Sequence, residues 1–308
     1  MELNGVYTQL GILFGLMGIG YILGRIKFFT QQSNAILSSF IVKVALPAVI
    51  ISSMSMPLTN DVFQRALVML GLSILVYAII LIMAWGLPKF MTDNKTHQGI
   101  LSYSIMFSNC TFMGFPVLGA LLGNEAIFYV AIYNIIFNIL VYTLGIKFLE
   151  SGKNQKNAFN IKQLMTSGII ASLIGLIIFF GGITLPAMVL GTVDSIASIC
   201  TPLSMLVTGA MLSQMPIKEV FAGRKIYILS FIRLILLPFM IFILTKYILK
   251  LQDDWLIIIP VVIAGMPVAS SVAMMASTYE SDARFASQVV MITTLISCIS
   301  IPALIYFL

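Results

Sequence analysis

Ten apolar runs of about twenty residues, separated by short polar turns, constrain this chain before any other feature does. A helix of that length crosses a ~30 Å hydrocarbon core, and it satisfies its own backbone hydrogen bonds where no water can reach them. The runs cover roughly 6–24, 34–54, 63–86, 99–122, 126–148, 164–182, 188–212, 226–249, 255–278 and 284–307. Charged residues make up 9% of the 308 positions, against about 25% in a soluble domain, too few to cover a water-exposed surface. The expected fold is an all-α membrane protein of ten transmembrane helices. The stretch Met1 to Gly24 holds no Lys or Arg, so the first run lacks the basic start of a cleaved signal peptide. Cys110, Cys200 and Cys298 each fall inside an apolar run, with no CxxC, and are read as small apolar residues without a metal or disulfide role. The net charge of +6 belongs to short loops and is not a nucleic-acid signature.

The loop charges orient the runs. On the side of the N-terminus stand Arg65, Lys246 and Lys250. On the other stand Arg25, Lys27, Lys89, Lys95, Lys147, Lys153, Lys156, Lys162, Lys218, Arg224, Lys225 and Arg284. Basic loops stay in the cytoplasm, so this 12-to-3 asymmetry places both termini outside, extracellular or periplasmic, in a multi-pass protein of the cell inner (plasma) membrane.

The two halves share punctuation. Pro47 in the second run is matched by Pro202 in the seventh, and Gly114-Phe115-Pro116-Val117 in the fourth by Gly265-Met266-Pro267-Val268 in the ninth. Each half has five runs, an odd number, so the halves must face opposite ways. The expected organisation is a first five-helix repeat over 1–150, a cytoplasmic linker over 151–163 and an inverted second repeat over 164–308. Gly frees the backbone, and Pro removes a donor and clashes with the preceding turn, so runs four and nine should break near mid-membrane. Half-helices starting near Phe115 and Met266 would then aim free N–H groups and positive dipole ends at the interior, an anion site without a buried basic residue.

Ser108, Asn109 and Thr111 lie before Pro116, and Ser270 and Ser271 after Pro267. The hydroxyls either cap the broken helices or face a ligand; Asn109, costlier to bury, is assigned to the site. Asn134 and Asn138 share one face of run five, either as interhelical hydrogen bonds or, for Asn138, as site lining. Lys43 and Arg233, the basic residues well inside runs, either snorkel to the inner face or compensate substrate charge. Asp61 and Arg65 have i,i+4 spacing at the start of run three, as a dipole-stabilised helix start or a proton or ion site. The single histidine, His97, lies in a loop and no acidic cluster sits in a run, which argues against an enzyme.

Taken in order, Leu46-Pro47-Ala48, Asn109 with Gly114-Phe115-Pro116, Asn138, Thr201-Pro202-Leu203 with Gly209-Ala210, and Gly265-Met266-Pro267 resemble the auxin efflux carrier family over essentially the whole chain. That family includes plant auxin carriers and bacterial malate and malonate permeases; the short central loop, Glu150 to Gln163, is similar to bacterial members. The resemblance implies the fold of bile-acid sodium symporters, with spans 1, 2, 6 and 7 as scaffold, spans 3–5 and 8–10 as transport domain, and broken helices 4 and 9 crossing at the substrate. The expected substrate is a small mono- or dicarboxylate, malate-like, carried by an elevator-type movement. The alternative is a ligand-gated sensor or channel. No cofactor or metal is expected; coupling to H+ or Na+ and assembly as a homodimer stay open. The charge asymmetry predicts that, in whole cells, a membrane-impermeant thiol reagent labels an Asn124→Cys variant and spares an Asn154→Cys variant; the reverse pattern would invert the topology.

Overall fold

The computed structural model describes residues 3–55, 59–151, 166–214 and 223–308, and its regular elements in these stretches are helices. Helices fall on all ten apolar runs: α1 (Leu3–Arg25), α2 (Gln31–Met54), α3 (Asn60–Met91), α4 (Lys95–Met106) and α5 (Cys110–Leu122), α6 (Glu125–Leu149), α7 (Ser167–Phe180), α8 (Ala187–Ser213), α9 (Arg224–Ile248), α10 (Asp254–Gly265) and α11 (Ser271–Thr278), and α12 (Ala283–Phe307). Runs four and nine are the two that are broken, each into a pair of short helices. Among the described residues six helices are continuous, long and apolar enough to cross a membrane: α2, α3, α6, α8, α9 and α12. Apart from Ser151, the linker expected at 151–163 lies outside the described residues, as does Lys218.

The chain forms two compact units, and each draws on both halves of the sequence. One comprises residues 1–70, 111–135 and 165–214; the other comprises 71–110, 136–164 and 215–308. The division into 1–150 and 164–308 concerns repeats, and the compact units cut across it.

In the first unit α1 and α8 cross with their backbones in contact. A Cβ at Gly20 would overlap the Leu206 carbonyl, one at Gly209 the Met17 carbonyl, and one at Gly24 the Ser213 hydroxyl. Small residues on both helices supply the close packing that holds helices together in lipid, where apolar burial gives no net drive. Helix α2 carries a wide π-turn at Ile41–Ala45, two residues before Pro47. The Leu46 N–H reaches back to the Ile41 carbonyl and Pro47 has no N–H, so the Val42 and Lys43 carbonyls lose their helical donors. Ser167, at the start of α7, donates its hydroxyl to the Val42 carbonyl at 2.7 Å. Ser52 on α2 donates to the Asp194 carboxylate on α8 at 2.6 Å.

In the second unit α4 and α10 form the centre. Residues Gly99–Met106 and Leu256–Gly265 are buried on every side; the second stretch is apolar all round, as a helix enclosed by protein or lipid is. The start of α4 is fastened to the start of α12. The His97 Nε2 lies 3.1 Å from the Asp282 carboxylate, and the His97 ring stacks on Phe285 with centroids 4.1 Å apart. Asp282 also caps α12 by accepting from the Phe285 N–H at 2.9 Å. Burial raises the Asp282 pKa, but the Phe285 N–H and His97 outweigh it and hold the carboxyl below its ordinary value. A depressed carboxyl stabilises the fold above its unfolded pKa, about 3.9, and loses that contribution as pH falls through the folded value. Asp282→Asn should therefore lower the melting temperature of the detergent-solubilised protein at neutral pH, and its deficit against wild type should close on acidification through that range. A deficit that persists unchanged to pH 3 would show that the carboxylate charge is not what fastens α4 to α12.

Candidate functional site

The second unit holds the crossing of the two broken helices. Helix α4 ends at Met106, and Phe107 leaves it with extended backbone angles, φ −114° and ψ 117°. Helix α10 ends at Gly265, and Met266 leaves it at φ −67° and ψ 149°. The two extended segments then pair antiparallel, with Ser108 opposite Val268. The Asn109 N–H donates to the Pro267 carbonyl at 2.7 Å, and the Ala269 N–H donates to the Phe107 carbonyl at 3.1 Å. The Val268 N–H donates to the Thr293 hydroxyl of α12 at 3.2 Å. Each break thus supplies backbone partners for the other, which is what irregular backbone needs at membrane depth.

Arg233 closes the crossing from α9. Its side chain is 1% exposed. The guanidinium donates to the Ile105 carbonyl of α4 at 2.7 Å, to the Met266 carbonyl at 3.2 Å and to the Ile263 carbonyl of α10 at 3.4 Å. It therefore caps the C-terminal ends of both half-helices. Snorkelling to the inner face, one of the two sequence expectations for Arg233, is ruled out by this burial; so is an interior without a buried basic residue. Placing an arginine at mid-membrane costs at least ~2.5–3.5 kcal/mol. Hydrogen bonds to a charged group return about 1.5–3 kcal/mol each, so burial is favourable while several carbonyls accept. The register that aims Arg233 inward comes from a π-turn at Ile232–Leu236, two residues ahead of Pro238.

The position of the first break corrects the sequence expectation. Gly114 has helical angles, φ −63° and ψ −51°, and Pro116 sits in the first turn of regular helix that follows a π-turn at Cys110–Gly114. The chain leaves helical geometry at Phe107–Asn109 instead, well before Gly114-Phe115-Pro116. In the ninth run Pro267 does lie in the break, and helix resumes at Ser271, later than Met266. The G-x-P-V strings are alike in sequence but stand at different places relative to the two breaks. Nor does glycine act through freedom of φ: the described glycines with positive φ are Gly123, Gly182 and Gly223. Gly265 is needed for closeness, because a Cβ there would overlap Leu304 and stand 3.5 Å from Pro238.

The sequence-predicted residues divide between the units. Ser108, Asn109, Asn138, Gly265, Met266, Pro267, Ser270, Ser271 and Arg233 belong to the second unit; Lys43, Asp61, Arg65, Thr111, Gly114, Phe115 and Pro116 belong to the first. Ser108 and Asn109 are buried, and the Ser108 hydroxyl lies 3.1 Å from the Cys110 sulfur. Ser270 occupies the N-cap position of α11 without a side-chain cap bond, so simple capping does not account for it. Asn138 is half-buried on α6. In the first unit Lys43 is exposed on α2, and the Arg65 guanidinium lies over the Tyr129 ring at 5.6 Å, a cation–π contact the i,i+4 pairing with Asp61 did not suggest.

Tyr103 was missed. It is fully buried on α4, its hydroxyl donates to the Met275 sulfur at 3.2 Å, and Ser271 lies 3.1 Å from the same oxygen. Gly145 on α6 makes room for its ring, since a Cβ there would come within 2.9 Å of it. A tyrosine between Ser102 and Ser104 inside an apolar run was the available signal.

The arrangement holds the start of α11 in the interior, with Ser270 and Ser271 half-buried beside it. Because Pro267 lies in its break and Pro116 does not, their replacements should differ. Pro267→Ala lets α10 run on and should weaken binding of a carboxylate by tenfold or more, the effect of about 1.5 kcal/mol. Pro116→Ala should stay within about threefold. Ligand-dependent thermal stabilisation of the two variants reads this, and the opposite order would place the working break at Pro116.

The sequence profile of the membrane transport protein family matches residues 5–305. A Rhizobium meliloti protein named "Putative malonate transporter" is 23% identical over 305 residues, covering 96% of this chain and 93% of its own. An uncharacterized transporter of Methanocaldococcus jannaschii is 24% identical over 303 residues, 94% of each chain. An uncharacterized transporter of Escherichia coli is 23% identical over 231 residues, 72% of this chain and 73% of its own. With its apolar helices and nearly its whole length matched, the chain belongs to the membrane transport protein family, the auxin efflux carrier family whose order of motifs its sequence follows.

Proposed function

We propose that this protein is a secondary transporter of a small organic anion, a malate- or malonate-like carboxylate, working by elevator-type alternating access. The observation that carries the proposal is the buried antiparallel crossing of two broken helices in the second unit, with Asn109 paired to Pro267 and Arg233 closing both half-helix ends. Irregular backbone at membrane depth is tolerated where it is enclosed by protein or lines a cavity, and in transporters half-helix starts face anionic substrate groups. The relative named for malonate supports the substrate class. The ten helical runs would be spans in two inverted five-helix repeats, with both termini outside the plasma membrane. The first unit contains the described residues of runs one, two, six and seven, the set assigned to a scaffold by resemblance, together with parts of runs three, four and five, which the resemblance assigns to the transport domain. The second unit would then carry the crossing between the two faces of the membrane.

Reconstituted into proteoliposomes, the protein should take up labelled malonate or malate with saturation and should show counterflow, which a channel would not. Asn109→Ala should cut the initial rate at least tenfold while the detergent-extracted protein stays monodisperse. Unchanged uptake by a well-folded Asn109→Ala variant would remove Asn109 from the site, and linear uptake without counterflow by wild type would replace the carrier with a channel.

A further inference from the structure

The half-helix ends that the second unit brings to the crossing cannot select an anion by themselves. Helices α4 and α10 reach it with their C-termini, and α11 leaves it with its N-terminus. A helix end carries about half an elementary charge, negative at the C-terminus and positive at the N-terminus. Two negative ends against one positive end leave the sum negative. Arg233 changes the sum, because its guanidinium is buried against carbonyls of the two negative ends: Ile105 of α4, and Ile263 and Met266 at the end of α10. The acidic residues in the described part of this unit are Asp93, which precedes α4, Asp253 and Asp254 at the start of α10, Glu280 and Asp282 after α11, and the buried Glu150 that follows α6. Helices α4 and α10 have 12 residues each, which puts about 18 Å between the crossing and the acids at their starts.

We propose that Arg233 is the positioning residue that sets the sign of the ligand: it neutralises the two C-terminal ends and leaves the crossing with about half an elementary charge, positive, from the start of α11, where one carboxylate would bind. This rests on the anion-carrier reading and names the source of its charge preference. Arg233 touches backbone and acts through the field it leaves at Ser270 and Ser271. A neutral side chain of similar shape would keep the helices crossed and lose the preference for a carboxylate over its amide.

The test uses a thiol as the local probe, so that it does not depend on the substrate. Ser270→Cys is made in the full-length protein with Cys298→Ala, and the rate of maleimide labelling in detergent is followed against pH. Arg233→Gln should shift the titration of the Cys at 270 to higher pH, slowing labelling at pH 7 by about threefold or more, since the thiolate is the reactive form. Arg233→Lys keeps the charge without the planar fork and should label like the parent. The inference is overturned if the Gln variant titrates like the parent. It is overturned equally, even should the Gln variant fail to fold, if the Lys variant titrates like an unperturbed thiol. In proteoliposomes Arg233→Gln should raise the KM for malonate more than it lowers the maximal rate, and malonamide should begin to compete. The expected thiol shift in a protein that takes up no carboxylate would uphold the charge assignment and remove the carrier reading.

Discussion

The structure depends on one constraint: a helix that stops inside an apolar interior leaves carbonyls and N–H groups that only the protein can satisfy. Helices α4 and α10 both stop there. Their exits are extended segments that hydrogen-bond to each other, with Asn109 to Pro267 and Ala269 to Phe107. What the pairing leaves is taken up by side chains from elsewhere in the same unit, Thr293 for the Val268 N–H and Arg233 for three carbonyls. An unpaired peptide group in hydrocarbon costs several kcal/mol, so neither break is stable alone, and the two specify each other.

The same accounting explains the prolines that do not break their helices. Pro47, Pro116 and Pro238 each follow a π-turn by two residues. The wider turn relieves the clash between the ring and the preceding carbonyl, at the cost of carbonyls without a helical donor. At Pro47 a hydroxyl from α7 supplies one donor. At Pro238 the altered register turns Arg233 inward, so a local response to proline becomes the means of burying a charge. Sequence similarity between G-x-P-V strings conceals this difference: one proline sits in a turn that stays helical, the other in backbone that has left the helix.

Membership of a transport family and the charge arrangement at the crossing are connected by the properties of broken helices. Ends that stop inside a protein carry fixed partial charges, and such charges need no reorganisation when a ligand arrives. Around the start of α11 those charges are accompanied by Ser271 and the buried Tyr103 hydroxyl, which keep the polar groups of the break directed by packing rather than by solvent. Gly145 and Gly265 contribute by having no side chain where Tyr103 and Leu304 need the space.

By itself the sequence determined where the helices lie, because an apolar run of about twenty residues can do little else in lipid, and a helix or a pair of helices falls on each run. It also singled out runs four and nine as broken, through prolines and polar residues that an unbroken span would not bury together. It did not locate the first break, because Gly114-Phe115-Pro116 is compatible with a π-turn that keeps the helix going, and Phe107-Ser108-Asn109 has no glycine or proline to announce an exit. Tertiary structure decided that exit: an extended segment at 107–109 is stable only because 267–269 offers it backbone partners. It likewise decided that Arg233 is an interior cap and not a snorkelling side chain, since the carbonyls that receive it come from residues 128, 33 and 30 positions away along the chain. A periodic pattern reports what each helix needs from its solvent; which helix ends meet is set by contacts between segments remote in sequence, and no local pattern encodes them.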